Sequence, residues 1–323
     1  MLVLGLQGSP RIKGNTSALL SAFLAEAEML GARTHQVHVA RQNISPCLEC
    51  GTCEKDGFCP VEDDMQSIYP LLWQADIIVM ATPVFFYGPT AQMKALIDRT
   101  QALWARRYVH KLADPGRTWR RGVLLSLGAT KGKNLFDGVK LTAKYFFDAV
   151  GANFEGSLTY RQLEAPEDAA KHPTALSDAK AQARTLVPPL LNRKKVLFAC
   201  RENAFRSQMA SALAQHLAGD RIEAESAGSS PAEEVNPLME EVMAEKGIDM
   251  AFRKPKSVEE AGRLLGTPDL IIAMGCGEVC PLFPGVPSQE WDVPDPSGKS
   301  MAFMRQVRDD VEGRVDRWLQ REV

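Results

Sequence analysis

The sequence predicts an α/β protein made of two doubly wound parallel-sheet domains. Three observations carry this. Apolar, β-branched runs alternate with helical stretches up to about residue 185, the same alternation restarts at Lys195, and the pair Pro188-Pro189 stands between the two series. At 323 residues the chain suits two domains of roughly 100–200 residues each. The expected division is 1–185, a linker at 186–194 whose prolines sit beside basic residues, and 195–323.

In the first series, strands are expected at 2–6, 34–39, 76–81, 122–127 and 153–158. The run at 76–81 is apolar throughout, as a strand buried on both faces requires. Helices are expected at 17–30, 64–73 and 91–104, with a polar, Ala-rich helical stretch at 167–185. In the second series, strands are expected at 195–199, 222–226 and 269–274, and helices at 207–217, 237–245 and 301–320.

A net charge of -2 argues against nucleic acid or an anionic membrane as a partner. No apolar run approaches the ~20 residues of a membrane-spanning helix. The chain enters a strand-like run from Met1 without a basic region, so no cleaved signal peptide is expected and a cytoplasmic setting is. The seven cysteines fall in three groups: Cys47, Cys50, Cys53 and Cys59; Cys200; and Cys276 with Cys280. Such grouping favours metal or redox roles over a disulfide framework. The five histidines lie outside every motif.

Cys200 follows an apolar strand, Arg206 comes six positions later, and a helix starts at Ser207. In that setting the intervening N–H groups, Asn203 and Ser207 among them, can curl around a tetrahedral oxyanion. The helix dipole and Arg206 favour a thiolate at Cys200, and Arg206 can hold two anion oxygens in a fork. Cys200 is thus a candidate in-line nucleophile on phosphorus or arsenic. In the first half, Gly8-Ser9-Pro10-Arg11 follows a strand and Gly14-Asn15-Thr16-Ser17 opens a helix. One such turn, without the Gly-x-Gly-x-x-Gly pattern, points to a mononucleotide phosphate. The compact spacing Cys47-x-x-Cys50-x-x-Cys53-x5-Cys59 suits a [4Fe–4S] cluster or zinc, and spacing alone does not separate them.

Residues 195–323 resemble the low-molecular-weight tyrosine phosphatase fold and, within it, the thioredoxin-coupled arsenate reductases. The match runs through Val196 to Cys200, Asn203, Arg206-Ser207-Gln208-Met209-Ala210, Glu225-Ser226-Ala227-Gly228, Asn236-Pro237, Lys256-Ser257-Val258, Cys280-Pro281, Trp291 and Pro294-Asp295-Pro296. Phosphatases of this fold usually carry Arg-Ser-Pro and Asp-Pro-Tyr where this chain has Arg206-Ser207-Gln208 and Asp295-Pro296-Ser297. The resemblance implies Asp295 as general acid, a role that calls for burial beside the anion. It also implies a thiol cascade from Cys200 to Cys276 to Cys280 that reduces arsenate to arsenite. Cys276 and Cys280 are closer together than in better-studied members, which leaves their order in the relay open.

Residues 1–185 resemble the flavodoxin-like FMN reductases and iron–sulfur flavoproteins. Three blocks carry the match: Gly8 to Ser17, then Thr82-Pro83-Val84-Phe85-Phe86-Tyr87-Gly88, then Gly128-Ala129-Thr130. The resemblance implies that Ser9, Arg11, Asn15, Thr16 and Ser17 hold FMN phosphate. Pro83, Val84, Phe85, Tyr87, Gly88, Gly128, Ala129 and Thr130 would border the ring. It implies NAD(P)H as electron donor, a possible iron–sulfur cluster on the four cysteines, and a homo-oligomer formed through this domain. The combined expectation is an arsenate reductase fused to its own flavin reductase, with thioredoxin or ferredoxin as possible external partners. The alternatives are a phosphatase acting on phosphomonoesters, fused to a flavoprotein, and a thiol-based arsenic or redox sensor.

Overall fold

The computed structural model of the chain describes residues 1–275 and 283–322. Two compact units emerge: Met1–Lys111 with Trp119–Leu191, and Leu112–Thr118 with Asn192–Val323. None of the described helices is long and apolar enough to cross a membrane.

The first unit runs β1 (Leu2–Gln7), α1 (Asn15–Met29), β2 (Arg33–His38), α2 (Thr52–Asp56), α3 (Met65–Gln74), β3 (Ile77–Pro83), α4 (Ala91–Arg99), α5 (Gln101–Tyr108), β4 (Arg121–Gly128), α6 (Asp137–Ala149), β5 (Asn153–Arg161), α7 (Asp168–Lys171), α8 (Ala175–Leu186) and α9 (Pro188–Leu191). Its sheet is parallel with order β2-β1-β3-β4-β5. The chain reverses its direction of winding between β1 and β3, which opens a crevice at the carboxyl ends of those strands. Side chains alternate across the sheet. Val3, Ile77, Val79, Val123 and Leu125 pack with α1 and α8, while Leu4, Leu6, Ile78, Met80 and Leu124 are buried too. Burial on both faces is why these strands read as continuous apolar runs.

Some elements depart from expectation. The helix expected at 91–104 is two helices that part at Thr100, whose hydroxyl donates to the Ile97 carbonyl at 2.6 Å. The stretch at 167–185 is interrupted at Pro173, which cannot supply a helical N–H. The segment 186–194 is not an extended spacer. Pro188–Leu191 forms a helical turn, and Val187 and Leu190 are buried in the first unit's core. Proline tolerates the first turn of a helix, so the pair starts α9.

The second unit runs β6 (Lys194–Cys200), α10 (Arg206–Ala218), β7 (Ile222–Gly228), α11 (Pro237–Ala244), α12 (Val258–Leu265), β8 (Leu270–Ala273), β9 (Ser288–Glu290) and α13 (Met301–Glu322). Its sheet is parallel with order β7-β6-β8-β9. Alternate residues of β6 serve two cores: Val196, Phe198 and Cys200 join the cluster containing α10 and α13 residues, and Leu197 and Ala199 join the one containing α12 residues. Ser257 and Glu260 cap α12 reciprocally. Leu112–Thr118 belongs here because Ala113 donates to the Gly247 carbonyl at 2.6 Å and accepts from the Asp249 N–H at 2.9 Å. The short α12 and β9 were not among the expected elements.

Candidate active site

Cys200 ends β6 and is 2% exposed. The loop that follows is organised by its carbonyls. Those of Cys200, Arg201, Glu202 and Ala204 accept hydrogen bonds from Ser229, Ser230, Ala232 and Asn236, at 3.1, 2.8, 2.9 and 3.2 Å. A planar trans peptide points its N–H opposite to its carbonyl, so the following N–H groups turn towards the loop's interior. The Asn203 N–H reaches Cys200 Sγ at 3.3 Å. Close approach of β7 makes this possible. A Cβ on Gly228 would lie 2.7 Å from the Arg201 oxygen and 3.0 Å from the Asn203 nitrogen.

Asn203 adopts φ +53°, a left-handed conformation that asparagine accepts more readily than most residues. Its side chain is fully buried and ties the loop together. Nδ2 donates to Ser207 Oγ at 2.8 Å, and Ser207 Oγ lies 3.0 Å from Cys200 Sγ. Oδ1 accepts from Gln208 Nε2 at 3.1 Å and the Lys256 N–H at 2.8 Å. Arg253 stands behind this chain, donating to Gln208 Oε1 at 3.4 Å, Ser211 Oγ at 2.9 Å and Gln215 Oε1 at 2.6 Å. The cation thereby fixes which way the Gln208 amide faces, and Gln208 fixes Asn203. Glu225 pairs with Lys256 at 3.0 Å. Burial pushes the Glu225 carboxyl up, but the Lys256 ammonium and the Ser226 N–H outweigh it and hold it below the usual carboxylate range.

Arg206, whose side chain is 9% exposed, donates to the Val293 carbonyl at 3.2 Å and lies 3.5 Å from Asp295 Oδ2. Gly275, at φ +64°, leaves room for it: a Cβ there would fall 2.9 Å from Arg206 Nη1. Asp295 is not enclosed. Its side chain is 59% exposed and its other oxygen accepts the Ser297 N–H at 3.0 Å. Cys200, Asn203, Arg206, Ser207 and Asp295 therefore share one site. Cys276 and Cys280 lie outside the described residues. Sequence reasoning missed Arg253. The available signal was Gln208, Ser211 and Gln215 along one side of α10, the first two fully buried, since buried polar groups require a partner.

In the first unit, the three expected blocks follow neighbouring strands β1, β3 and β4. Backbone bonds link them: Gly8 donates to Ala81, and Val84 to Leu127. Gly8 is pressed between Met93 and the Ala81 carbonyl, and a Cβ would meet them at 2.7 and 3.2 Å. The Thr90 hydroxyl donates to the Gly8 carbonyl at 2.7 Å. Ser9 is half-buried, and its Oγ accepts the N–H of the exposed Arg11 at 3.2 Å. Thr16 is buried and Ser17 half-buried on the first turn of α1. Asn15 differs from expectation, since both ends of its amide are engaged: Nδ2 donates to Ala165 O at 2.7 Å and Oδ1 accepts the Ala169 N–H at 2.9 Å. It anchors the 165–169 segment.

Pro83 and Val84 are half-buried, and Phe85 and Gly88 exchange two backbone hydrogen bonds around a tight turn. Phe86 and Tyr87 hold left-handed φ values of 48° and 65° at its tip. Phe85, Phe86 and Tyr87 are all exposed. Gly128 is buried against Leu135, and Ala129 and Thr130 are exposed beyond it. The expected ring-bordering residues thus sit at one edge of the sheet.

Cys47 and Cys50 are exposed, and Cys53 and Cys59 half-buried, all as free thiols. Burial, then the sulfurs of Cys59, Cys47 and Cys50, push Cys53 up, while the Thr52 hydroxyl and N–H hold Cys50 below its ordinary value. The four thiols share one electrostatic neighbourhood. Among the described residues, however, no three metal-ligating side chains stand at metal-holding geometry. The loop is held from outside its cysteines. Arg99, fully buried on α4, donates to Asp63 Oδ2 at 2.6 Å and to the Ser45 and Val61 carbonyls at 3.1 Å each. Arg106 donates to Gly57 O at 3.2 Å and lies over the Phe58 ring, and His110 Nε2 lies 3.2 Å from Cys53 O. These anchors were missed, His110 included. The legible signal was Arg99, three residues after Leu96 and four before Leu103 on an otherwise apolar face.

Residues 1–154 match the NADPH-dependent FMN reductase family, and residues 195–323 match the low molecular weight phosphotyrosine protein phosphatase family. An iron–sulfur flavoprotein of Archaeoglobus fulgidus is 41% identical over 99 residues, 31% of this chain and 45% of that protein. One from Methanosarcina thermophila is 34% identical over 131 residues, 41% of this chain and 65% of that protein. The chain thus spans about half to two thirds of the length of these flavoproteins. Arsenate reductase 2 of Staphylococcus haemolyticus is 30% identical over 130 residues, 39% of this chain and 96% of that protein. The chain therefore belongs, through its second unit, with the arsenate reductases of the low molecular weight phosphatase family, and its first unit carries a match to the FMN reductases.

Proposed function

We propose that the protein reduces arsenate to arsenite with electrons delivered by its own flavin unit. The observation that carries this reading is the Cys200 loop: a buried sulfur at the base of inward-turned N–H groups, with Arg206 and Asp295 at its mouth. Cys200 as thiolate attacks arsenic. Asp295 gives its proton to the departing oxygen, which leaves as water. Cys276 as thiolate then attacks Cys200 Sγ. The sulfur–arsenic bond breaks, its electron pair stays on arsenic, and arsenite leaves with As(V) reduced to As(III). Two thiols have become one disulfide. Attack by Cys280 on Cys276 frees Cys200 and leaves a Cys276–Cys280 disulfide to be reduced. Asn203, Gln208 and Arg253 keep the loop in register throughout.

FMN fits the edge of the first unit. The first-turn N–H groups of α1 offer a phosphate site, and Gly8 and Gly128 seat the loops beside it against Met93 and Leu135. Ser9, Thr16 and Ser17 would hold the phosphate, with Phe85, Tyr87, Gly88 and Thr130 beside the ring. When bound, FMN supplies two-electron exchange between NAD(P)H and a disulfide. The four free thiols of one anchored loop match an iron–sulfur cluster in donor number and type, although they are not drawn together. Their binding a cluster is part of this proposal.

The test is arsenate-dependent NAD(P)H oxidation by the purified, FMN-loaded chain without thioredoxin. The proposal expects turnover that Cys276→Ser abolishes. A strict requirement for thioredoxin would remove the internal electron path and leave the reductase. Hydrolysis of an aryl phosphate that survives Cys276→Ser and Cys280→Ser, without arsenate reduction, would instead make the second unit a phosphatase.

A further inference from the structure

A pocket of about 230 Å³ opens in the second unit where β9 meets the last turns of α13. Gln289 and Trp291 line it from the strand side, and Arg314, Arg317, Trp318 and Arg321 from the helix. The helical four stand at i, i+3, i+4 and i+7, which places them on one face. It is separate from the residues that surround Cys200.

The charges at this pocket are unevenly balanced. Arg314 is engaged, with Nε donating to Asp310 at 2.9 Å and Nη2 to the Asp292 carbonyl at 2.7 Å. Glu322, also at the rim, is answered by Lys194 at 3.2 Å. Arg317 and Arg321 are exposed and have no ion pair or hydrogen bond among the described residues. Trp318 is 5% exposed, and its Nε1 donor is buried without an acceptor.

We propose that this pocket binds a small planar aromatic carboxylate. Two indoles supply apolar wall for a ring. Two guanidinium groups, unpaired among the described residues, supply the forked donors that a carboxylate accepts. The volume suits one or two rings and is too small for a dinucleotide. A tetrahedral oxyanion has its own cradle at Cys200, so the two sites divide anions by shape.

The test uses the full chain labelled with ¹⁵N, with benzoate as the probe. Five tryptophans give five indole N–H signals, assigned by single Trp→Phe variants. The Trp291 and Trp318 signals are expected to shift saturably, with Kd on the order of 1 mM or tighter, while the other three stay in place. Arg317→Ala with Arg321→Ala is expected to weaken binding at least ~10-fold, which is one decade in Kd. Dispersed Trp291 and Trp318 signals from the unliganded double variant serve as the check on folding of the second unit. Saturating arsenate should leave the titration unchanged. The absence of a saturable shift overturns the proposal, as does an affinity untouched by the double variant. Displacement of benzoate by arsenate would also overturn it, by moving the probe to the Cys200 loop.

Discussion

The two units each place a helix N-terminus after their first strand, at α1 and at α10, and the two places are built differently. At α10 the loop carbonyls are tied outward one after another, and the sulfur is sealed beneath the N–H groups. At α1 the loop is open. Ser9 and Arg11 are turned partly to solvent, Asn15 is engaged elsewhere, and no nucleophile is present. The comparison teaches that a helix N-terminus offers anion affinity alone. Reactivity comes from how completely the loop's own backbone is constrained around a buried atom.

The sharpest way to break that contrast is Cys200→Ser. Arsenate reduction should fall by about 10³-fold or more, while flavin retention by the purified protein stays unchanged. Arsenite release, read beside the flavin spectrum, checks both. Gly228→Ala tests the constraint without touching the nucleophile. The added methyl meets backbone, so the loop must move. Activity should drop roughly 10- to 100-fold, and stability by about 1–3 kcal/mol, read from kcat/KM and a denaturant melt. Arg253→Ala leaves every group that touches the oxyanion in place and frees the Gln208 amide. A loss of about 10-fold in kcat, with little change in flavin binding, is expected. At the open loop, Thr16→Ala should weaken FMN by only several-fold, measured by fluorescence titration, because backbone N–H groups carry the phosphate.

The smallest effect concerns pH and the cysteine loop. Burial pushes the Asp63 carboxyl up, but Arg99 and the N–H groups of Ser45 and Met65 outweigh it and hold it below its ordinary value. A depressed carboxyl contributes stability that is present above its unfolded value, about 3.9, and is lost as pH falls through the lower folded value. Amide exchange at Ser45 and Met65 should therefore stay slow near neutrality and quicken only below about pH 4. Quickening already at pH 5–6 would contradict the pairing.

Much of this contrast was legible in the sequence, because local chemistry dominates at both loops. A strand, a short loop and a helix start are read from neighbours in sequence, and so are Cys200 and Arg206. What escaped was supplied over long sequence distances. Arg253 reaches α10 from beyond β7, and Arg99 reaches back to Ser45, Val61 and Asp63. Neither has a local reason to be buried. The Asn15 amide looked available until residues 165–169 arrived beside it. Short elements such as β9 carry too little pattern to be seen without the strand they pair with.

The outward-tied carbonyls of the Cys200 loop have a consequence for how such a protein can change over generations. Apart from Arg206, its anion donors are peptide groups, which every residue but proline provides. Side chains at Arg201 and Glu202 are therefore free to drift, altering charge at the entrance while the cradle is inherited intact. The geometry is encoded instead in Asn203 and in a few positions set apart from the loop, Gly228 above all. Variation in preference and preservation of chemistry are thus assigned to different residues.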